Sequence, residues 1–280
     1  MTDILKQIVA TKKQEVEAAK KATPLHVLQN QCTDLPPTHS MRQSILSHKG
    51  GIISEFKRRS PSKNWIKRDA RVEDIIPAYE VAGAAGISIL TDHTYFGGTL
   101  HDLIKARSLT SLPLLRKDFV IDAYQLFEAR VAGADACLLI AAAIGDQKCH
   151  ELAEVAHTLD LEVILEVHCA EELTAYSEHV DIIGVNNRNL KLFKTDTSIS
   201  EDLFAQLPPQ ALPISESGLL DNKVAIRLQQ MGYRGFLVGE AFMKTEEPGK
   251  ALQQYIEPLK EASNAFLFLP PQKKFSKDDY

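Results

Sequence analysis

Charged and amide side chains interrupt the apolar runs of this 280-residue chain near the C-terminal end of each run. Glu55-Phe56-Lys57 ends one run, Thr91-Asp92 a second and Lys117-Asp118 a third. Glu166 sits in another, Asn186-Asn187-Arg188 closes the next and Glu216-Ser217-Gly218 the one after. An unpaired charge in a segment that is otherwise apolar is costly to bury. If these ends converge, their lysines and glutamates must pair with one another, bind a charged ligand, or both. Small residues at two turns, Ser217-Gly218 and Gly239-Glu240, let backbone N–H groups approach an anion. Glu240 also opens a helical stretch, whose N-terminus adds the positive end of its dipole. Ser60 adds a hydroxyl near Lys57 within the basic stretch 57–63, where Arg58 and Arg59 read as solvated. The chemistry indicated is recognition of a small phosphorylated ligand in a mouth that holds both acids and bases.

The elements that must position these groups follow a regular rhythm. Short runs rich in Ile, Val and Leu occur at 51–57, 87–91, 114–117, 136–141, 162–167, 181–186, 212–216 and 235–239. Between them lie stretches of helical period such as 72–82, 122–131, 147–159 and 222–231. Strands apolar along their whole length, alternating with helices, imply a parallel sheet covered on both faces. Eight such units occupy about 210 residues, close to the roughly 250 typical of a closed (β/α)8 TIM barrel. A doubly wound open sheet is the competing α/β architecture, but it favours a GxGxxG after its first strand, which this chain lacks. In a barrel the active site forms at the C-terminal ends of the strands, where the polar residues stand.

Ahead of the rhythm, Ile4, Leu5, Ile8 and Val9 recur at helical spacing and predict an amphipathic helix over 3–20. Pro24 and Pro36-Pro37 break the chain, and 41–48 forms a second short helix. These residues are too few to build a core of their own. The expected division is an N-terminal helical extension (1–49) packed on a catalytic barrel (50–262), followed by a C-terminal tail (263–280).

Composition narrows the partners. With 32 Lys+Arg against 37 Asp+Glu the formal charge is −5, which argues against nucleic acid or an anionic membrane as the main partner. The N-terminus lacks the pattern of a signal peptide, and the apolar run 137–144 is far short of the roughly 18 residues needed to span a bilayer. Four cysteines without CxxC spacing read as reduced thiols of a cytoplasmic protein. The nine histidines are scattered outside any metal-ligand pattern, so no metal is expected.

Six segments together resemble the indole-3-glycerol phosphate synthase family: Ser54-Glu-Phe-Lys-Arg-Arg-Ser-Pro-Ser-Lys63, Leu90-Thr-Asp-His-Thr-Tyr-Phe-Gly-Gly98, Leu115-Arg-Lys-Asp-Phe119, Leu165-Glu-Val-His168, Gly184-Val-Asn-Asn-Arg-Asn-Leu190 and Ser215-Glu-Ser-Gly218. They stand in the family's order, and the N-terminal helices match as well. The resemblance implies ring closure of 1-(2-carboxyphenylamino)-1-deoxyribulose 5-phosphate with loss of carbon dioxide and water, as a step of tryptophan biosynthesis. It implies no cofactor, a small sugar-phosphate substrate, and a chain that works as a monomer or weak homo-oligomer. By the same resemblance Lys117 is the general acid and Glu166 the base, while Lys57 contacts the substrate carboxylate and can share the acid role, the division of steps between the two lysines staying open. Glu55 and Asn186 orient the lysines and the substrate hydroxyls. Phe96, Phe119 and Leu138 form the slot for the aromatic ring; Arg188, Leu190 and Ser217 bind the rest of the substrate. Ser60, Gly218, Gly239 and Glu240 hold its phosphate. The family often has Ser where this chain has Glu240, so the Glu240 backbone is expected to bind with the side chain turned away. Asp92 (often Glu) and Asn64 (often Gly) are milder departures. Two other readings compete: a sister sugar-phosphate isomerase, and a catalytically dead barrel that only binds. The end of the first strand lacks the Cys an isomerase of that kind often uses, and a dead copy has no reason to retain Lys57, Lys117 and Glu166 together.

Overall fold

Runs of β-branched and aliphatic residues without polar alternation can be buried on both faces, and eight of them close into one parallel barrel. The computed structural model describes residues 4–189 and 194–266. The barrel strands are β1 (Ile52–Phe56), β4 (Gly86–Leu90), β5 (Leu114–Lys117), β6 (Ala136–Ile140), β7 (Glu162–Val167), β8 (Ile182–Asn186), β9 (Leu212–Glu216) and β10 (Gly235–Val238). A two-residue hairpin, β2 (Arg59–Ser60) with β3 (Asn64–Trp65), projects from the loop after β1. Round the ring the order is β1, β10, β9, β8, β7, β6, β5, β4, all neighbours parallel, with β4 paired back onto β1.

Helices α1 (Ile4–Ala22), α2 (Leu25–Cys32) and α3 (Met41–Ser47) precede the barrel. The long connecting helices are α4 (Val72–Ala82), α6 (Leu100–Arg107), α7 (Tyr124–Val131), α9 (Asp146–Thr158), α10 (Ser198–Phe204), α11 (Asn222–Met231) and α13 (Pro248–Phe266). Single turns α5 (His93–Phe96), α8 (Ala141–Ile144) and α12 (Glu240–Met243) sit just after β4, β6 and β10. A 3-10 turn, Ala170–Ala175, follows β7.

The two-residue period of a strand divides the core. Ile53, Leu115, Leu138, Ile164, Ile182, Ile214 and Leu237 point inward and fill the barrel. Their neighbours Ile52, Cys137, Leu139, Val163, Leu165, Ile183 and Phe236 point outward against the helices. The extension reaches both ends of the ring. Leu5 and Ile8 of α1 join the inner cluster from the C-terminal rim, and Met41 and Ile45 of α3 join it from the opposite end. Gly86 and Gly235 stand where Met41 and Ile45 press in, so a side chain at either position would collide with the plug. Between those ends the chain is tied to the barrel flank: Thr38 Oγ1 donates to Asp160 O (2.7 Å), His39 N to Asp135 Oδ1 (2.7 Å) and Arg42 N to Glu162 Oε2 (2.8 Å).

Three features differ from the sequence expectation. The segment between Pro24 and Pro36 contains a further helix, α2, packed on α7. The β2–β3 hairpin was not expected. Arg58, read as solvated, forms a two-pronged ion pair with Asp102 (2.8 Å each) and stacks over Phe56 at 4.8 Å. Asn64 turns the hairpin at φ 57°, a left-handed conformation that Gly adopts freely and Asn tolerates better than most residues.

Candidate active site

Inward-facing positions one pleat beyond the apolar filling carry the polar residues. Glu55, Lys117, Glu166, Asn186 and Glu216 end β1, β5, β7, β8 and β9, and Lys57 follows β1. All six line one cavity of about 740 Å³ at the C-terminal rim. Lys117 Nζ stands 3.0 Å from Glu166 Oε2 and 3.5 Å from Glu216 Oε2. Across the mouth Lys57 pairs with Glu55. Asn186 hydrogen-bonds Glu166, while its Oδ1 accepts from Arg188 N (2.9 Å). Two glycines make room for the carboxylates: a Cβ at Gly239 would lie 2.9 Å from Glu55 Cβ, and one at Gly184 would strike Glu216.

Electrostatics distinguishes these groups. Burial alone would push the Lys117 ammonium down, but Glu166, Glu216 and Glu55 outweigh it and hold its pKa above the ordinary lysine value. Burial likewise works against the charge on Glu166, yet Lys117, His168 and hydrogen bonds from Lys117 and Asn186 bring that carboxyl below its usual range. Glu216 goes the other way. Burial, only partly offset by Lys117, together with repulsion from Glu166 and Glu55 pushes it up to about 7. One cavity therefore holds a cationic acid, an ionised carboxylate and a carboxyl that carries a proton for much of the time at neutral pH.

The anion turns sit at the same rim. Ser217 (φ 67°) and Gly218 (φ 75°) are successive left-handed residues after β9, with Asn187 Nδ2 holding Ser217 O at 3.1 Å. Gly218 is required twice over, since a Cβ there would also meet Thr195 Cγ2 at 2.7 Å. After β10, Gly239 caps α12, whose first N–H groups lack intrahelical acceptors by the geometry of any helix start. Ser60 Oγ lies buried at the cavity wall without a protein hydrogen-bond partner. The Glu240 carboxylate reaches across the mouth to within 3.9 Å of Lys63, and Arg188 Nη1 donates to Ser62 Oγ (2.9 Å). These two links tie the loop after β1 to the loops after β10 and β8.

An apolar wall faces the charges. The Phe96 and Phe119 rings are 6.0 Å apart, and Ile140, Leu237, Leu5 and Ile8 complete the slot. Leu138, expected here, is displaced from the site: it lies in the middle of β6, fully buried among the inner filling. Ile140, two residues on and on the same face, takes the position instead. Leu190 lies outside the described residues.

Sequence reasoning passed over three contributors. Glu216 was seen at a strand end but given no role; its spacing of two from Ile214 places it inward as surely as Glu166 follows Ile164. His168, directly after β7, has its Nε2 3.5 Å from Glu166 Oε1. Lys12 of α1 is buried against Glu15 (2.6 Å), Asp118 (2.9 Å) and Asp92 (3.1 Å). Asp118 also accepts from Thr91 (2.6 Å) and pairs with Arg116 (3.1 Å). Asp92 in turn caps α5 through Tyr95 N (2.7 Å), so α1 is fastened to the loops that carry Lys117, Phe119 and Phe96. Among the described residues no cluster of three His, Cys, Asp or Glu side chains is arranged to hold a metal ion.

The comparisons with known proteins agree with this geometry. A family model described as indole-3-glycerol phosphate synthase matches residues 5–255. A protein of that name from Bacteroides thetaiotaomicron is 52% identical over 259 residues, covering 92% of this chain and 100% of the relative. Another from Verminephrobacter eiseniae is 40% identical, covering 90% of this chain and 98% of its own. Among solved structures, a mutant tryptophan synthase α-subunit from Pyrococcus furiosus superposes with a TM-score of 0.57 at 14% identity, over 76% of this chain and 98% of that one, a likeness of fold alone. With the barrel, the rim of paired acids and bases, and relatives matched over their full length, the chain belongs to the indole-3-glycerol phosphate synthase family.

Proposed function

We propose that the cavity closes the indole ring of indole-3-glycerol phosphate from 1-(2-carboxyphenylamino)-1-deoxyribulose 5-phosphate, in tryptophan biosynthesis, as a carbon–carbon lyase of the carboxy-lyase type. The observation that carries this reading is Lys117 held between Glu166 and Glu216, with the turns of Ser217-Gly218 and Gly239-Glu240 on one side and an apolar slot on the other. The substrate has a phosphate, an aromatic ring and a carboxylate, and the cavity offers a place for each. The phosphate sits at the turns of Ser217-Gly218 and Gly239-Glu240 near Ser60. The anthranilate ring lies against Phe96, Phe119 and Ile140. Its carboxylate faces Lys57, which Glu55 orients.

The aromatic carbon that bears the carboxylate attacks the ketone, and Lys117 delivers a proton to the oxygen as the C–C bond forms. Loss of carbon dioxide returns the bond electrons to the ring and restores aromaticity. The new hydroxyl then leaves as water, driven by the nitrogen lone pair. Glu216 is the carboxyl in the cavity able to supply that proton at neutral pH. Glu166, ionised, removes the remaining C–H proton to complete the indole. Asn186 and Arg188 hold the sugar hydroxyls, and by the family resemblance Leu190 also contacts the substrate.

The same reading divides the chain into extension 1–49, barrel 50–262 and tail 263–280; the tail beyond 266 lies outside the described residues. It makes the protein a monomer or weak homo-oligomer acting on a small molecule, without nucleic acid or membrane. No described helix is long and apolar enough to cross a bilayer. The four free thiols, two of them buried, fit the reducing cytoplasm.

Mixing the protein with the anilino-deoxyribulose phosphate and following indole fluorescence tests the proposal; a flat trace would overturn it. A second result is expected from Gly239→Ala. The added methyl displaces Glu55, whose Cβ stands 2.9 Å from its position. Misplacing a catalytic group by an ångström can cost about 10²-fold in rate, so turnover should fall on that scale while the melting temperature changes little. Wild-type kinetics in that variant would show that Glu55 tolerates displacement.

A further inference from the structure

His168 lies behind the cavity wall, outside the residues that line the cavity, yet its ring is wedged between two carboxylates. On one side Glu172 Oε2, from the 3-10 turn after β7, accepts from His168 N (2.7 Å) and from His168 Nδ1 (3.2 Å). That pair of bonds fixes the ring and places a proton on Nδ1. On the other side Nε2 is buried, without a hydrogen-bond partner, and stands 3.5 Å from Glu166 Oε1. A neutral ring in this pose would set a lone pair against a carboxylate; a protonated ring sets an N–H there instead, and the contact becomes attractive.

The arrangement is asymmetric about Lys117. Glu166 and Glu216 both share that ammonium, but Glu166 has three favourable neighbours: Lys117 from β5, Asn186 from β8 and His168 from its own strand. Glu216 has Lys117 at the longer distance and His168 only as the last and weakest of its charge partners, without a contact, and its Oε1 is buried without a hydrogen-bond partner. Glu55 on β1 and Lys57 just after it pair with one another, and the Glu55 charge adds to the repulsion on Glu216. Two like charges crowded on one lysine cannot both be favoured, so whichever has the extra cation keeps its charge and the other takes the proton.

We propose that His168, clamped by Glu172, is the positioning residue that decides which of the two carboxylates sharing Lys117 serves as the base, by keeping its charge against Glu166 and leaving the proton to Glu216. This rests on the ring-closure reading above and deepens it. The ring touches no substrate; it acts through Glu166. The elevated pKa of His168 agrees: burial works against its charge, but Glu172 and Glu166, with a smaller contribution from Glu216, overcome it. The sign follows. Removing the imidazolium raises the pKa of Glu166, so the base is lost at a higher pH and the acid limb of the rate profile moves up.

The test is the pH dependence of kcat and KM for His168→Asn and Glu172→Gln between about pH 5.5 and 9, with indole formation as the readout. An opposite charge at this range shifts a carboxyl by about 1–3 units, so the acid limb of His168→Asn should rise by about one unit, a tenfold loss on that limb. At the alkaline end, where the wild-type ring has also lost its charge, kcat should converge on the wild-type value with KM unchanged. Glu172→Gln, at a partly exposed site, should shift the limb in the same direction by less, and it keeps the test available if His168→Asn folds poorly. An acid limb that stays in place, or a loss equal at every pH, overturns the proposal. Glu166→Gln separates the two levels. If that variant turns over normally, the ring-closure assignment of the base falls and His168 with it. An inactive Glu166→Gln beside unmoved limbs in both other variants removes the role of His168 alone.

Discussion

Turnover of Lys117→Ala should fall by about 10²–10⁴-fold, the usual contribution of a positioned general acid. The lower end of that range is the least to expect, because the substitution removes two things at once. On the proposed mechanism it deletes the proton donor for the forming alkoxide. It also strips Glu166 and Glu216 of the cation they share at 3.0 and 3.5 Å. Without it burial weighs more heavily on both carboxyls, and Glu166 is held down by His168 and Asn186 alone, so the base is weakened as the acid is lost. Because the two carboxyls can neutralise themselves by taking up protons, the barrel should persist. Single-turnover fluorescence measures the first effect and a thermal melt checks the second. Residual activity should rise with pH as Glu166 regains its charge. Wild-type turnover in this variant would remove Lys117 from the mechanism.

The second large effect concerns stability. Lys12→Met leaves Asp118 and Asp92 facing a methyl group in place of an ammonium, at sites almost fully buried. Breaking a buried pair from one side costs about 3–5 kcal/mol, because the charge left behind is uncompensated. For a chain of this size the melting temperature should drop by about 6 °C or more. The pH dependence gives a sharper reading. Although burial opposes it, Arg116, Lys12 and the Thr91 hydroxyl hold Asp118 down at about 2, below its unfolded value. A depressed carboxyl stabilises the fold above its unfolded pKa, and that contribution drains away as pH falls toward 2. Losing Lys12 reduces the contribution, so the variant should show a shallower fall of melting temperature between about pH 5 and pH 2. A slope equal to the wild type would mean that Arg116 and Thr91 suffice. Since Asp92 caps the turn that carries Phe96, and Asp118 adjoins Lys117, the same variant should also lose turnover.

Most of the barrel is legible in the sequence because its strands are mainly apolar along their length and many are preceded by small residues. The inner-facing acids and bases are legible for the same reason: a charge inside such a run has nowhere to go except the rim. What escaped detection lacks that contrast. The β2–β3 hairpin is built from Arg59-Ser60 and Asn64-Trp65, polar pairs with no period, and is held by Asn64 in a left-handed turn. Helix α2 is short and enclosed by prolines, and its stability comes from packing on α7, which no local pattern announces. Leu138 and Ile140 differ only by one pleat of β6, and where the filling ends and the cavity begins depends on how far the neighbouring strands are staggered. Lys12 looks like one solvated charge among several in α1; its partners stand about 80 and 106 residues away and meet it only once the ring has closed.

The extension that caps one end of the ring and plugs the other has a consequence for biogenesis. It leaves the ribosome ahead of the barrel, whereas Gly235, against which Ile45 seats, belongs to the last strand of the ring. Ile45 must therefore wait for the whole ring before it can seat. Until then Leu5, Ile8 and Ile45 lack the finished inner surface on which they pack, and the nascent chain carries them uncovered. Sealing of both openings is thus deferred until translation of the final strand, which makes the closing of the ring and the completion of the reaction chamber one event.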